Sequence, residues 1–352
     1  MGLHVSCTYK LLKAGHTMLT LDGLNYGNIF CAPGAQGFFG EGYPYHKLFK
    51  PLGMDWGTDM PGTPMHCGFV SKTIVFPSRD GNMPLRSDRL TPQEWLIPRS
   101  IVIKPRTGHV LNAVGLSGPG AEWALAQGRW QARTEPFMIS FMSAAADPDQ
   151  RLEETRKFVR LLQTYLDSFQ APFAIQANRA CPNSGHIPDD FYPETTEMLD
   201  ILGELRVPIV VNFNPTVPAE VMADTAAHWA CSALWLANTI PWGDERIDWE
   251  EIFGTAQSPI AARNLPVRGD GGLSGPACLP ITVECVARAR NADITKPIVA
   301  GNGIQRPEDV FRLRAAGADA VAIGTVGMMR PWRMRSIIRI ANEWDTWDGP
   351  SC

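Results

Sequence analysis

The amino-acid sequence predicts an α/β fold, a (β/α)8 TIM barrel with long loops covering its C-terminal face. Three observations predict it. From about residue 136 onward, short apolar runs alternate with amphipathic stretches of helical period. The runs end in polar or glycine residues, which suits barrel strands where their loops begin. A chain of 352 residues, 45% hydrophobic and 19% charged, is long and apolar enough for one such barrel, so residues 1–352 read as a single domain.

The runs are Pro136–Met142, Pro172–Asn178, Pro208–Phe213, Ala233–Thr239, Pro297–Gly301 and Asp319–Gly324. They are apolar on both faces, as parallel strands buried on both sides should be. Between them lie candidate helices. One carries the stripe Leu152, Thr155, Val159, Leu162, Leu166 and Phe169; others are Pro193–Leu205, Pro218–Ala230, Leu279–Arg290, Pro307–Ala316 and Pro331–Trp344. Several open on proline, whose missing N–H costs nothing in a first turn. Asn28–Ala32 and Gly68–Val75 upstream complete a set of eight strands. Residues 40–66 and 77–111, rich in Pro, Gly, Arg and Trp with weak periodicity, read as long insertions over the barrel top.

The formal net charge of -4 leaves no basic surplus to neutralise a phosphate backbone, which argues against nucleic acid as a partner. The longest apolar stretches are strand-sized, too short for a membrane span. Eight cysteines are scattered without a C-x-x-C pair or zinc-finger spacing, so no metal site is expected and a reducing, cytoplasmic location is. No G-x-G-x-x-G fingerprint supports direct nicotinamide binding.

The strand ends carry the chemistry. Lys72 and Thr73 close the second strand, Ser140 the third, Asn178 the fourth, Asn212 the fifth, and Asn238 and Thr239 the sixth. An amide donates and accepts at once, so a ring of them suits a planar ligand with alternating carbonyl and N–H groups. Each Asn taken alone also suits a helix cap or turn. The last two strand ends offer Gly301, Gly303, Gly324 and Thr325, where backbone N–H groups can cradle a phosphate. Cys181, in the Pro- and Gly-bearing loop after Asn178, can serve as a proton acceptor or be an inert loop thiol.

Together these segments resemble the dihydroorotate dehydrogenase family, and within it the soluble class 1 branch. The resemblance rests on Ala32-Pro33-Gly34, Ser71-Lys72-Thr73, Gly81 to Arg86, Asn112 to Leu116, Ser140 to Ser143, Asn178 to Asn183, Asn238-Thr239, Gly271 to Gly275, Gly301 to Ile304 and Gly324-Thr325. It implies an FMN-binding barrel that oxidises dihydroorotate to orotate in pyrimidine biosynthesis. Flavin contacts implied by residue match are Ala32, Lys72, Thr73, Ser140, Asn178, Asn212, Thr239, Gly272, Gly301, Gly303, Gly324 and Thr325. Substrate contacts are Lys72, Asn112, Gly115, Leu116, Asn178, Asn183 and Asn238. Cys181 matches the class 1 base, which removes a proton while hydride passes to flavin N5; class 2 relatives carry Ser there. Lys72 would offset the substrate carboxylate. A homodimer is implied in the same way.

Three positions depart from the family. Asn212 stands where the family usually has Lys near flavin N1 and O2, Gly118 where it often has Asn, and Asn302 where it has a small residue. The Ser87–Thr107 segment is also longer. These departures leave room for two other readings: a flavin oxidoreductase acting on another cyclic amide or an enamide of secondary metabolism, or a non-catalytic FMN-binding scaffold. The electron acceptor is open among fumarate, NAD through a partner subunit, and a quinone.

Overall fold

The structure, a computed structural model, describes residues 18–58, 60–94, 97–179 and 194–343. It opens with the hairpin β1 (Leu19–Leu21) and β2 (Leu24–Gly27), then β3 (Ile29–Cys31) and the short helix α1 (Pro44–Phe49). A second hairpin follows, β4 (Ile101–Lys104) and β5 (His109–Asn112), and then α2 (Ala121–Ala126). The regular alternation begins with β6 (Phe137–Phe141), α3 (Pro148–Gln163), β7 (Phe173–Asn178), α4 (Thr195–Gly203), β8 (Ile209–Phe213), α5 (Ala219–Ala227) and β9 (Cys231–Leu236). The chain continues with β10 (Ile240–Pro241), α6 (Trp249–Phe253), β11 (Gly272–Ser274), α7 (Leu279–Asn291), β12 (Ile298–Gly301), α8 (Pro307–Ala315), β13 (Ala320–Ile323), α9 (Thr325–Met329) and α10 (Met334–Glu343).

Among the described residues, the main sheet has seven parallel strands in the order β3-β13-β12-β9-β8-β7-β6. The strands are buried along almost their whole length. Each fully buried Val, Ile, Leu or Phe stabilises the fold by ~1.5–3 kcal/mol relative to an exposed one. Phe30 on β3 and Trp235 on β9 meet with ring centroids 5.6 Å apart, both fully buried.

The expected eighth strand, Gly68–Val75, is not a regular strand. Its backbone makes isolated parallel bridges to both edges of the sheet, Phe30 with Gly68 on one side and Met138 with Val70 on the other. The ladder is interrupted for a local reason. The Ser140 N–H is taken by the Ser71 hydroxyl at 3.0 Å, and the Lys72 N–H turns away to the Gly37 carbonyl at 2.8 Å. The curled sheet therefore has its two edges joined by an irregular segment.

Two further expectations change. Leu166 and Phe169 fall beyond the end of α3, so the predicted stripe outruns its helix. The long insertion expected over residues 77–111 is not all loop: β4 and β5 join β11 and β10 in a four-stranded antiparallel sheet. Its core is Leu111, Ala113, Ile240, Leu273 and Cys278, separate from the main core. The segments of β10 and β11 come from loops after β9, so this small sheet ties the N-terminal half to the late loops.

Candidate active site

A cavity of about 410 Å³ lies at the C-terminal ends of the parallel strands. That is where barrel enzymes place their chemistry, because the loops there can vary without disturbing the core. Lys72, Thr73, Asn178, Asn212, Asn238 and Thr239 all line it. So do Ala32, Asn112, Gly115, Leu116, Gly324 and Thr325. Residues from β5, β7 and β8 and from the segments just after β3, β9 and β13 thus converge on one space.

The polar groups form a chain. Ser140 Oγ and Thr73 Oγ1 are 2.8 Å apart, Asn178 Nδ2 donates to Thr73 Oγ1 at 3.2 Å, and Asn238 Nδ2 donates to Asn178 Oδ1 at 2.9 Å. Asn302 Nδ2 then holds the Asn238 carbonyl at 3.0 Å. Each acceptor is claimed, so the two asparagine amides have one orientation. Beside this chain, Asn212 Nδ2 reaches Gln176 Oε1 at 3.4 Å, while Asn212 Oδ1 and Thr239 Oγ1 are buried without a partner. A buried unpaired polar atom costs about 1–3 kcal/mol, and both belong to residues that line the cavity.

Lys72 is buried, donates from Nζ to the Ser117 carbonyl, and lies 5.0 Å from the centroid of the Phe38 ring. Asn112, at the end of β5, donates to the Gly272 carbonyl at 3.4 Å. The turn at Gly115 and Leu116 is strained: Leu116, a branched residue, has φ +59. It is held from behind. Arg79 Nε donates to the Gly115 carbonyl at 2.9 Å, and Asn82 Nδ2 donates to the Ala113 and Val267 carbonyls at 2.8 Å each.

Four of the residues expected to contact the cofactor do not line this cavity. Ser140 is fully buried beneath Thr73 and orients it. Gly301 faces the sheet, where a Cβ would stand 2.5 Å from the Ala322 carbonyl oxygen. Gly272 pairs with Asn112 within the small antiparallel sheet. Gly303 lines a second, smaller cavity. Cys181 and Asn183 lie outside the described residues.

Sequence reasoning missed the apolar wall of the cavity. Ile101 and Ile103 from β4, Val110 from β5, and Met83, Met328 and Met329 contribute to it. The signal was present in the β-branched run Ile101, Val102 and Ile103, followed by the turn pair Thr107-Gly108 and then Val110-Leu111. That is a hairpin pattern.

Fold and cavity define an α/β protein of barrel type whose ligand site is a ring of amides and hydroxyls at the strand ends. A family model described as dihydroorotate dehydrogenase matches residues 96–343. A dihydroorotate dehydrogenase B (NAD(+)) catalytic subunit from Anoxybacillus flavithermus is 31% identical over 235 residues, covering 65% of this chain and 68% of that one. The protein of the same description from Desulforudis audaxviator is 27% identical over 344 residues, covering 95% and 94%. A crystal structure of DHODH from Eimeria tenella in complex with ferulenol superposes with a TM-score of 0.61 at 17% identity, over 92% of this chain and 82% of that one. The chain belongs to the dihydroorotate dehydrogenase family, as its motifs led us to expect, and is a dihydroorotate dehydrogenase-like oxidoreductase. Among the described residues, no helix is long and apolar enough to cross a membrane.

Proposed function

We propose that this protein is an FMN-dependent dehydrogenase that oxidises dihydroorotate to orotate. The observation that carries the reading is the amide pair at the cavity, Asn178 and Asn238, locked in one orientation beside the unpaired Asn212 Oδ1 and Thr239 Oγ1. Family membership supplies the reaction class. We read the irregular Gly68–Ile74 segment as the eighth stave of a closed barrel, since it bridges both sheet edges.

FMN fits the residues present: the donors and acceptors match a planar ring of carbonyls and ring nitrogens, and bound FMN would supply the hydride acceptor. Thr73, Asn212, Thr239, Gly324 and Thr325 would hold it. Asn112, Asn178, Asn183 and Asn238 would grip the substrate ring by its alternating polar edge, with Lys72 and the Gly115-Leu116 backbone at its carboxylate. Cys181 Sγ, as thiolate, would take the proton from the carbon next to the carbonyl. Holding the ring in register matters because a misplacement near 1 Å can cost ~100-fold in rate.

A second reading has a specific observation behind it. Asn212 brings no charge, and one wall of the cavity is isoleucine and methionine. Both suit a less polar cyclic amide or enamide. The deciding experiment is the visible spectrum of the purified protein before and after dihydroorotate is added without oxygen. Bleaching of a flavin band supports the first reading. A yellow protein bleached by dithionite but not by dihydroorotate moves the assignment to the second. A colourless protein that takes up no FMN overturns both.

A further inference from the structure

Asn302 is one of the positions at which the sequence departs from its family, and it is not among the residues that line the cavity. It follows β12 directly, and its backbone is left-handed, with φ +69. Asparagine adopts that conformation more readily than most residues. Its side chain bonds three backbone groups from two other segments. Nδ2 donates to the Asn238 carbonyl at 3.0 Å and to the Leu273 carbonyl at 3.2 Å, and Oδ1 accepts from the Gly275 N–H at 3.3 Å. Two acceptors at one end and a donor at the other fix which way the amide lies.

Both segments reach the cavity, which Asn238, Thr239 and Ser274 line. Their own pairing is short: β10 and β11 meet at Ile240 with Leu273 and at Pro241 with Gly272. Asn238 lies before that ladder begins, and Asn302 supplies its tie to β11. Asn302 also anchors both segments to β12, which is paired on either side with β9 and β13. From Asn238 the hold passes into the site. Asn238 Oδ1 accepts from the Thr239 N–H at 2.8 Å, which leaves Nδ2 to donate to Asn178 Oδ1 at 2.9 Å. A hydrogen bond is made or lost within about half an ångström. The place of the Asn238 backbone therefore decides whether the two amides meet.

We propose that Asn302 is a positioning residue for substrate binding, which pins the Asn238 backbone to β12 and so fixes the Asn178–Asn238 pair that grips the substrate ring. The inference rests on the dihydroorotate reading above. It gives a role to a side chain where the family has a small residue, and that role is exerted through Asn238.

The test uses the full chain, with orotate as the probe and its affinity read by calorimetry. Asn302→Gly suits the left-handed backbone at no steric cost and removes all three bonds. It is expected to weaken orotate by about tenfold, the scale of one or two lost hydrogen bonds, and to raise KM more than it lowers kcat. Asn302→Asp keeps an acceptor for the Gly275 N–H but turns an oxygen toward two carbonyls, and is expected to weaken orotate further. In an Asn238→Ala background, Asn302→Gly is expected to cause no additional loss, because the amide through which it acts is gone. A lowered melting temperature with orotate affinity and KM unchanged overturns the proposal, and so does an equal loss with and without the Asn238 side chain. If wild-type protein binds no orotate, the dihydroorotate reading fails separately, and urea unfolding decides the positioning role. The coupling between Asn178→Ala and Asn238→Ala is then expected to vanish in the Asn302→Gly background. A coupling that persists there, or that the wild-type chain lacks, overturns it.

Discussion

Asn238 Nδ2 donates to Asn178 Oδ1 at 2.9 Å, joining the end of β7 to the loop after β9 across the intervening strand β8. Through Asn178 Nδ2 and Thr73 Oγ1 the link continues to Ser140, at 3.2 and 2.8 Å. Substituting Asn178→Ala is expected to leave Asn238 Nδ2 and Thr73 Oγ1 without that partner. The predicted cost is about 1–3 kcal/mol of stability and a fall in kcat/KM of roughly 100-fold. A double-mutant cycle with Asn238→Ala is expected to show a coupling energy of about 0.5–3 kcal/mol. Additive effects would mean that the two amides act independently.

Asn212 stands where the family usually carries a lysine. Its Oδ1 is buried without a partner, and its neighbour Gln176 is likewise uncharged. Asn212→Lys is expected to raise the flavin midpoint potential, because a cation near the reduced ring stabilises its negative charge. For a two-electron couple, each 1.4 kcal/mol of differential stabilisation is about 30 mV. Dye-equilibrated redox titration measures it. An unchanged potential would refute the placement of Asn212 beside the flavin.

His109 gives the protein a pH dependence. Its Nε2 accepts from the Ala277 N–H at 3.1 Å, so the ring is neutral. Burial first, and the Arg330 guanidinium second, push its pKa from 6.5 to about 4. Between those values the unfolded chain binds a proton that the folded chain refuses. Stability therefore falls as pH drops through the window and levels off below it, with a slope of up to ~1.4 kcal/mol per pH unit. Urea midpoints across the window check this. His109→Gln is expected to reduce the slope without abolishing it, since burial also lowers His46 to about 4.

Asn82 supports the strained Leu116 turn from a distance. Besides its two donated bonds, its Oδ1 accepts from the Val267 N–H at 2.7 Å. Asn82→Ala removes all three and is expected to destabilise the protein by about 2–3 kcal/mol. If Gly115 and Leu116 hold the substrate carboxylate, KM rises more than kcat falls. Equal changes in both would separate the turn from substrate binding.

Gly303 has φ +121, and a Cβ there would stand 2.6 Å from the Leu279 backbone nitrogen. Gly303→Ala is expected to destabilise the protein by roughly 1–3 kcal/mol through that clash and the strained backbone. Thermal unfolding measures the loss.

The regular part of the fold was legible in the sequence, from Phe137 to Ile323, because buried parallel strands and amphipathic helices leave periodic signatures. The strand-end residues Asn178, Asn212 and Asn238 were legible for the same reason: once the strands are placed, their C-terminal ends are known. Less regular parts were not. Gly68–Val75 has strand composition but pairs through isolated bridges, since the Ser71 hydroxyl replaces a ladder bond. The β4–β5 hairpin was hidden among Pro and Arg residues, and its partners β10 and β11 lie more than a hundred residues away.

By itself, then, the sequence determined the class of fold, the family and the ring of amides, all consequences of local pattern and chain order. The tertiary structure decided which polar atoms pair and which are left open. It set Ser140 beneath Thr73 instead of in the cavity, and brought Ile101, Ile103 and Met329 together as one wall. It also gathered the Asn238, Leu273 and Gly275 backbone around the Asn302 side chain. Those relations join residues far apart in the chain, and only packing fixes the few ångströms on which a hydrogen bond depends.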